Sequence, residues 1–193
     1  MVTVILYTIG HSGHSRELFR RMLKEHGIEV LADVRAYPGS RKWPQFSRDQ
    51  FPEWLEADGF TYRHFPKLGG RRRKSKVIGA EVNAAWRNRS FHNYADYCLT
   101  EEFQEGIDEL LTLAADKQVA YCCSERHPAR CHRLLISNWL TTGGHEVKHI
   151  IDGKKETIEL VDHELGIWGA PPLVGKGGII TYPVTEPEGG RQA

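Results

Sequence analysis

VAYCCSERHPARCHRLLISNWL, residues 119–140, passes from an apolar run through turn-prone polar residues into a helical pattern. Residues 119–123 have the length and composition of a buried strand, and Leu134, Leu135, Ile136, Trp139 and Leu140 supply the apolar face of a helix. Ser124, Glu125 and Arg126 then fall just past the strand, while Cys131, His132 and Arg133 are expected in the first helical turn. Free backbone N–H groups and the helix dipole in such a turn favour an anion and lower the pKa of a thiol. This loop is therefore expected to floor a binding or catalytic site.

The same alternation extends toward the N-terminus. An apolar, β-branched run over residues 2–9 stops at Gly10-His11-Ser12-Gly13-His14. Ser15 is the expected N-cap of a helix with Leu18, Phe19, Met22 and Leu23 on one face, ending near Gly27. Residues 28–34 read as a second strand, parallel to the first by the right-handed crossover rule. Residues 35–46 read as a long loop, and Ser47 is expected to cap a helix reaching about Ala57. A third strand over residues 60–65 leads to the turn Leu68-Gly69-Gly70 and a basic run.

Residues 77–90 show no clear apolar face, whereas residues 91–98 and 101–115 are helical in spacing. After the opening stretch, residues 146–151 make a fifth strand, which Asp152-Gly153 is expected to turn into a hairpin partner at residues 157–161. Beyond Gly166 the Gly and Pro content suggests a tail on the surface or partly disordered. The expected fold class is α/β: an open, mostly parallel Rossmann-like sheet with helices on both faces. Residues 1–151 would form a single domain, followed by a C-terminal hairpin and Gly/Pro-rich tail over residues 152–193.

A chain of 193 residues with 40% hydrophobic content suffices for one buried core. No run is long and apolar enough to span a bilayer, no signal-peptide pattern opens the chain, and four scattered cysteines make no disulfide framework. A cytoplasmic protein without membrane attachment is expected. The net charge of +1 conceals an uneven distribution: residues 35–48 and 63–76 hold 11 of the 26 bases and no acid. The other 165 residues keep 15 bases against 25 acids, a net of −10. Such loops suit an anionic partner, a small molecule or nucleic acid, although a basic run can also be a solvated surface loop.

Ligands of open parallel sheets bind outside the carboxyl ends of the strands. His11 and Ser12 follow the first strand, Asp33 and Arg35 end the second, His64 and the Gly69-Gly70 turn follow the third, and Ser124 and Glu125 follow the fourth. Glu125, Asp33 and His11 are the candidate catalytic acid–base groups, with Arg35 keeping Asp33 ionised and a more enclosed Glu125 held neutral. Ser12, Arg35, Arg41, Tyr62, Gly69 and Gly70 are candidate substrate-binding residues. So are Ser124, Cys131, His132 and Arg133, with Arg133 and the basic loops on phosphate and Tyr37, Trp43 or Tyr62 stacking a base.

Structural alternatives accompany these readings. Asp33 could simply pair with Arg35, His11 could brace its turn, and Cys122 is expected to face the core as a small apolar residue. Cys131 is either a reactive thiolate or a sulfur packed beneath the loop, and the second is preferred. Cys123, Cys131 and His132 with His11 offer suitable zinc ligands but lack the close cysteine pair of familiar structural sites, so no metal or cofactor is assigned. Neither a Walker sequence nor a Gly-x-Gly-x-x-Gly turn occurs.

Tyr7-Thr8-Ile9-Gly10-His11-Ser12, Asp33-Val34-Arg35 with Pro38 and Ser40-Arg41, Leu68-Gly69-Gly70, and Cys123-Ser124-Glu125 followed by Cys131-His132-Arg133 together resemble the family called domain of unknown function 488. The resemblance runs from about Tyr7 to Ile151, with Ser124 where that family more usually has Ala. It implies an α/β fold with a shared polar site and supplies no reaction, substrate or cofactor. The leading expectation is an enzyme, a hydrolase or transferase, acting on a phosphate-bearing substrate such as a nucleotide or nucleic acid by carboxylate acid–base chemistry. Its alternatives are a non-catalytic nucleic-acid-binding module and a zinc- or thiol-dependent enzyme. No oligomeric state is assigned.

Overall fold

Strands β1 (Ile5–Gly10), β2 (Val30–Asp33), β3 (Thr61–His64), β4 (Val119–Cys123), β5 (Glu146–Asp152) and β6 (Ile158–Asp162) make one sheet in a computed structural model that describes residues 3–154 and 157–185. Their order is β3-β2-β4-β1-β5-β6, parallel throughout except for the β5–β6 hairpin. The open Rossmann-like sheet and C-terminal hairpin thus agree with the alternation in the sequence; residues 155 and 156 lie outside the described residues.

Among the described residues five helices cover the sheet: α1 (Arg16–Glu25), α2 (Gln50–Ala57), α3 (Arg89–Tyr97), α4 (Glu101–Ala114) and α5 (Arg133–Thr142). Side chains of a strand alternate between faces, so β4 sends Ala120 and Cys122 into one core and Val119, Tyr121 and Cys123 into the other. The first core takes Phe19, Met22 and Leu23 of α1 with Phe51, Trp54 and Leu55 of α2. The second takes Tyr94 of α3, Phe103 and Leu110 of α4, and Leu134 and Leu135 of α5. Cys122, fully buried among apolar groups, is the small core residue expected.

Local signals place most helix starts. Ser15 Oγ accepts from Leu18 N at 3.1 Å, and the Thr100 and Asn88 side chains cap α4 and α3 in the same way. Ser47 does not cap α2. Pro44 begins a 3-10 turn that closes through Ser47 N to Pro44 O at 2.9 Å, and α2 starts later, after Asp49, with no side-chain cap. Nor do Cys131 and His132 lie within the first turn of α5. Pro128 opens another 3-10 turn, Cys131 closes it in an extended conformation (φ −135°, ψ 148°), and His132 is the N-cap position.

The segment past Gly166 is not a surface tail through its described length. Strands β7 (Leu173–Val174) and β8 (Ile180–Thr181) form a small hairpin, and Ala170, Ile180 and Tyr182 are buried in the second core. Tyr182 OH accepts from Asn138 Nδ2 at 2.8 Å, and its backbone binds Asn83 Oδ1 and Ala85 N. That pairing orders the stretch around residues 77–90, whose sequence shows no period. Expected disorder over residues 186–193 lies outside the described residues.

Adjacent strands β1 and β4 send their following helices, α1 and α5, to opposite faces of the sheet. Connections that diverge in this way leave a crevice at the strands' carboxyl ends. Beyond the strands the backbones stay paired, with His11 N to Cys123 O and Ser12 N to Ser124 O both at 3.0 Å. Gly10 permits this approach, since a Cβ there would collide with the carbonyl of Glu125.

Candidate functional site

A cavity of about 790 Å³ occupies that crevice. Its floor is built from His11, Cys123, Cys131 and His132, with Ser124 and Glu125 exposed at its edge and Gly70, Arg71, Arg72, Arg73 and the start of α3 along its far wall. Two polar clusters meet it, one from the ends of β2 and β3 and the other from the end of β4 and the loop before α5.

In the first cluster the Asp33 carboxylate, fully buried, is saturated. Arg35 donates to it through its backbone N at 3.0 Å, through Nε at 2.9 and 3.0 Å, and through Nη2 at 2.6 Å, while Tyr62 OH adds a bond of 2.7 Å. Burial works against the charge of Arg35, but the hydrogen bonds and charge of Asp33 outweigh it and raise its pKa. Burial and then the Asp33 charge raise that of Tyr62. The other Arg35 bonds run from Nη1 to Phe46 O at 2.8 Å and to His11 Nε2 at 3.2 Å. Arginine keeps its protons, so His11 Nε2 is the acceptor and Nδ1 carries the hydrogen. Burial first, then the charges of Arg35, His14 and Arg133, lower the His11 pKa to about 3. His11 is accordingly neutral at pH 7, stacked on Phe46 at 4.3 Å, with Nδ1 buried and without a partner among the described residues.

The second cluster is built on sulfur. The ligand atoms of Cys123, Cys131 and His132 all lie within 4.8 Å of one another. His132 Nε2 lies 2.9 Å from Val34 O, which can only accept, so Nε2 bears the hydrogen and Nδ1 presents a lone pair. That lone pair faces Cys131 Sγ at 3.6 Å and Cys123 Sγ at 3.9 Å. Burial alone would raise the Cys131 pKa; a hydrogen bond from Cys123, the charge of Arg133 and the Arg133 amide bring it down to about 6. The same hydrogen bond, with burial, pushes Cys123 up to about 12. The coupled pair thus loses one proton readily and holds the other between the two sulfurs. The amide at the start of α5 serves the Cys131 sulfur, as the sequence suggested for a thiol near a helix start.

Several expected site residues stand elsewhere. Arg133, expected to hold phosphate, is buried and has its guanidinium committed inward: Nε to Cys131 Sγ at 3.4 Å, Nη1 to Thr8 Oγ1 at 2.9 Å and Nη2 to Glu125 O at 2.5 Å. Glu125, expected to be enclosed, is exposed at the cavity edge. Asp33 and Tyr62 are occupied with each other and Arg35, and neither lines the cavity; Ser12, Arg41 and Gly69 also fall outside it. Gly69 instead lets its turn pass the Ala36 backbone, where a Cβ would approach Cα to 2.9 Å. His11, Arg35, Gly70, Ser124, Glu125, Cys131 and His132 are brought together as expected.

The structure adds Arg71, Arg73 and Arg130, all exposed at the cavity. The basic run signalled the first two. Cys123, expected among possible zinc ligands, lies at the cavity, and Cys122 faces the other core, as strand alternation indicated. Among the expected zinc ligands His11 is the one set apart, its Nε2 turned to Arg35. Of the expected stacking aromatics, Tyr37 lines the cavity, while Trp43 and Tyr62 pack against the first core.

No helix of the described residues is long and apolar enough to cross a membrane. A family model described as Domain of unknown function DUF488 matches residues 15–140, more than half of the chain. The Tyr7 to Ser12 motif lies just outside that match. No curated protein and no solved structure matches the chain.

Proposed function

From the premise that the chain belongs to the Domain of unknown function DUF488 family, we propose that it is an enzyme acting on a phosphate-bearing substrate, a nucleotide or a nucleic-acid strand. One observation carries this reading: the exposed side chains of Arg71, Arg73 and Arg130 surround a single cavity with no acidic partner among the described residues. Guanidinium groups left unneutralised around a concavity focus a positive field, and their planar fork matches phosphate oxygens. Arg72 is a wall rather than a ligand, since its donors hold the carbonyls of Gly69, Pro66 and Lys67. At the rim, Tyr37 is 72% exposed with the Arg71 guanidinium 5.7 Å over its ring, a platform on which a base can stack.

The acid–base role narrows to Glu125, the carboxylate among the residues lining the cavity. Asp33 has no free lone pair directed outward and acts on Arg35 and Tyr62 instead. His11, neutral with Nε2 committed to Arg35 and Nδ1 buried, positions Arg35 rather than acting as a base. Replacing Glu125 by Gln is expected to leave the affinity for a labelled single strand or a nucleoside monophosphate nearly intact and to abolish turnover. A variant that retains full turnover removes Glu125 from the mechanism. No binding of either probe at low salt ends the phosphate reading, and salt-dependent binding with no turnover of any phosphate ester favours a binding module instead.

A further inference from the structure

The geometry points to a zinc site made by Cys123, Cys131 and His132, three protein ligands with the fourth position open to the arginine-lined cavity. It rests on the proposed function only for the nature of that fourth ligand, an anionic substrate oxygen; the site itself rests on the ligands' placement.

Zn–S bonds of about 2.3 Å and Zn–N bonds of about 2.0–2.1 Å, set at tetrahedral angles, require S···N separations of about 3.6 Å and an S···S separation of about 3.8 Å. The observed S···N distances are 3.6 Å for Cys131 and 3.9 Å for Cys123, and all three atoms lie within 4.8 Å. Small side-chain rotations would close the rest. Without a metal the imidazole lone pair can accept from one thiol at a time, whereas a metal ion would engage it and both sulfurs together.

The surroundings are those of a ligand set rather than of three adjacent polar residues. Val34 O fixes the His132 tautomer from behind, as a carbonyl commonly does for a metal-bound imidazole. The Tyr94 ring packs edge-on against the imidazole, with centroids 4.9 Å apart, and fixes its plane. Gly70 passes so close that a Cβ would collide with His132 Nδ1, so the glycine keeps the metal-facing side of the ring clear. Arg133 Nε donates to Cys131 Sγ at 3.4 Å and would support a bound thiolate.

Thiolate with imidazole selects zinc over the hard cations magnesium and calcium, which take oxygen ligands. Two thiolates neutralise Zn²⁺, and three protein ligands leave the open position found in catalytic rather than structural sites. All three ligands line the cavity that also holds Arg71, Arg73 and Arg130, so the open position faces guanidinium groups. An anionic oxygen is the ligand that both sides favour.

The test uses the full chain purified in reducing buffer, with zinc content measured by mass spectrometry. After dialysis against a chelator, with folding checked by circular dichroism, Co²⁺ is added and sulfur-to-cobalt charge transfer recorded. One zinc per chain and charge-transfer bands saturating at one Co²⁺ per chain are expected. Cys123→Ser and Cys131→Ser should each weaken Co²⁺ binding by more than roughly tenfold, whereas Cys122→Ser, on the opposite face, should leave it unchanged. Absence of stoichiometric charge transfer in the folded wild-type protein overturns the site, as do unchanged bands in both ligand variants, whether or not phosphate binds. Inorganic phosphate is then added to the cobalt protein: shifted d–d bands support an anionic fourth ligand. Bands indifferent to phosphate leave the metal site standing and count against the phosphate reading.

Discussion

Two polar clusters sit at the carboxyl end of one sheet, and they differ in what they leave free. Around Asp33 every strong group is answered from within: the carboxylate by Arg35 and Tyr62, the guanidinium by Asp33, Phe46 O and His11. Around Cys123, Cys131 and His132 the imidazole lone pair and the sulfurs face one another and an open cavity. Buried charge paired inside the protein holds a shape, whereas ligand atoms held at a cavity floor only by long, weak sulfur hydrogen bonds can exchange them for a group from outside. The first cluster braces the loops that carry the second.

The largest effect that would break this distinction comes from acid. His11, His149 and His163 are buried and neutral, with pKa values lowered chiefly by burial to about 3, about 2 and about 4. Because these folded values lie below the unfolded value of about 6.5, the unfolded chain takes up protons first, and stability is lost as pH falls below it. Between about pH 6.5 and 4 the loss should be roughly 1.4 kcal/mol per pH unit for each histidine. Urea midpoints measured across that window check it, and a flat profile would mean that His11 is not held neutral in the closed cluster.

Next in size is Asp33→Asn, which leaves the Arg35 guanidinium buried beside a neutral amide. Loss of one partner of a buried pair costs about 3–5 kcal/mol, and a fall of that order in unfolding free energy is expected by denaturant titration. A loss below about 1 kcal/mol would place the pair among surface-like salt bridges, contrary to its burial.

A milder change sharpens the other side. Gly70→Ala forces a Cβ against His132, and overpacking of this kind costs about 1–3 kcal/mol. Its melting temperature should fall moderately, and its Co²⁺ affinity should fall with it, because the displaced ring is a ligand. The smallest effect on stability is expected from Arg73→Ala, an exposed residue, within about 0.5 kcal/mol. Oligonucleotide binding by that variant should nevertheless lose about one unit of salt slope, a change that calorimetry of the free protein would not detect.

The sheet and its helices were legible in the sequence wherever one local rule governed them. Ser15 announced α1, the apolar run 119–123 gave β4 to the residue, and Asp152-Gly153 marked the β5–β6 hairpin. What failed depended on partners distant in sequence. The Gly/Pro-rich segment looked like a tail because no period betrays Ala170, Ile180 and Tyr182, which are held by α5 and by the residues around Asn83.

The same division applies to the site. That Asp33 pairs with Arg35 could be read two residues away, but its saturation needs Tyr62, placed by the parallel register of β2 and β3. Arg133 looked like a phosphate ligand at a helix start; Thr8, 125 positions away, and the carbonyl of Glu125 take its guanidinium instead. Charge patterning alone carried Arg71 and Arg73, and it led to the cavity they surround.

The central claim, that the open cluster and not the closed one meets the substrate, is tested most directly by a crystal soaked with a nucleoside monophosphate in the presence of zinc. The phosphorus is expected inside the cavity among Arg71, Arg73 and Arg130, with an oxygen directed at the Cys123, Cys131 and His132 group and the base beside Tyr37. Phosphate found on Arg35 in place of Asp33, or bound only outside this cavity, would contradict the account.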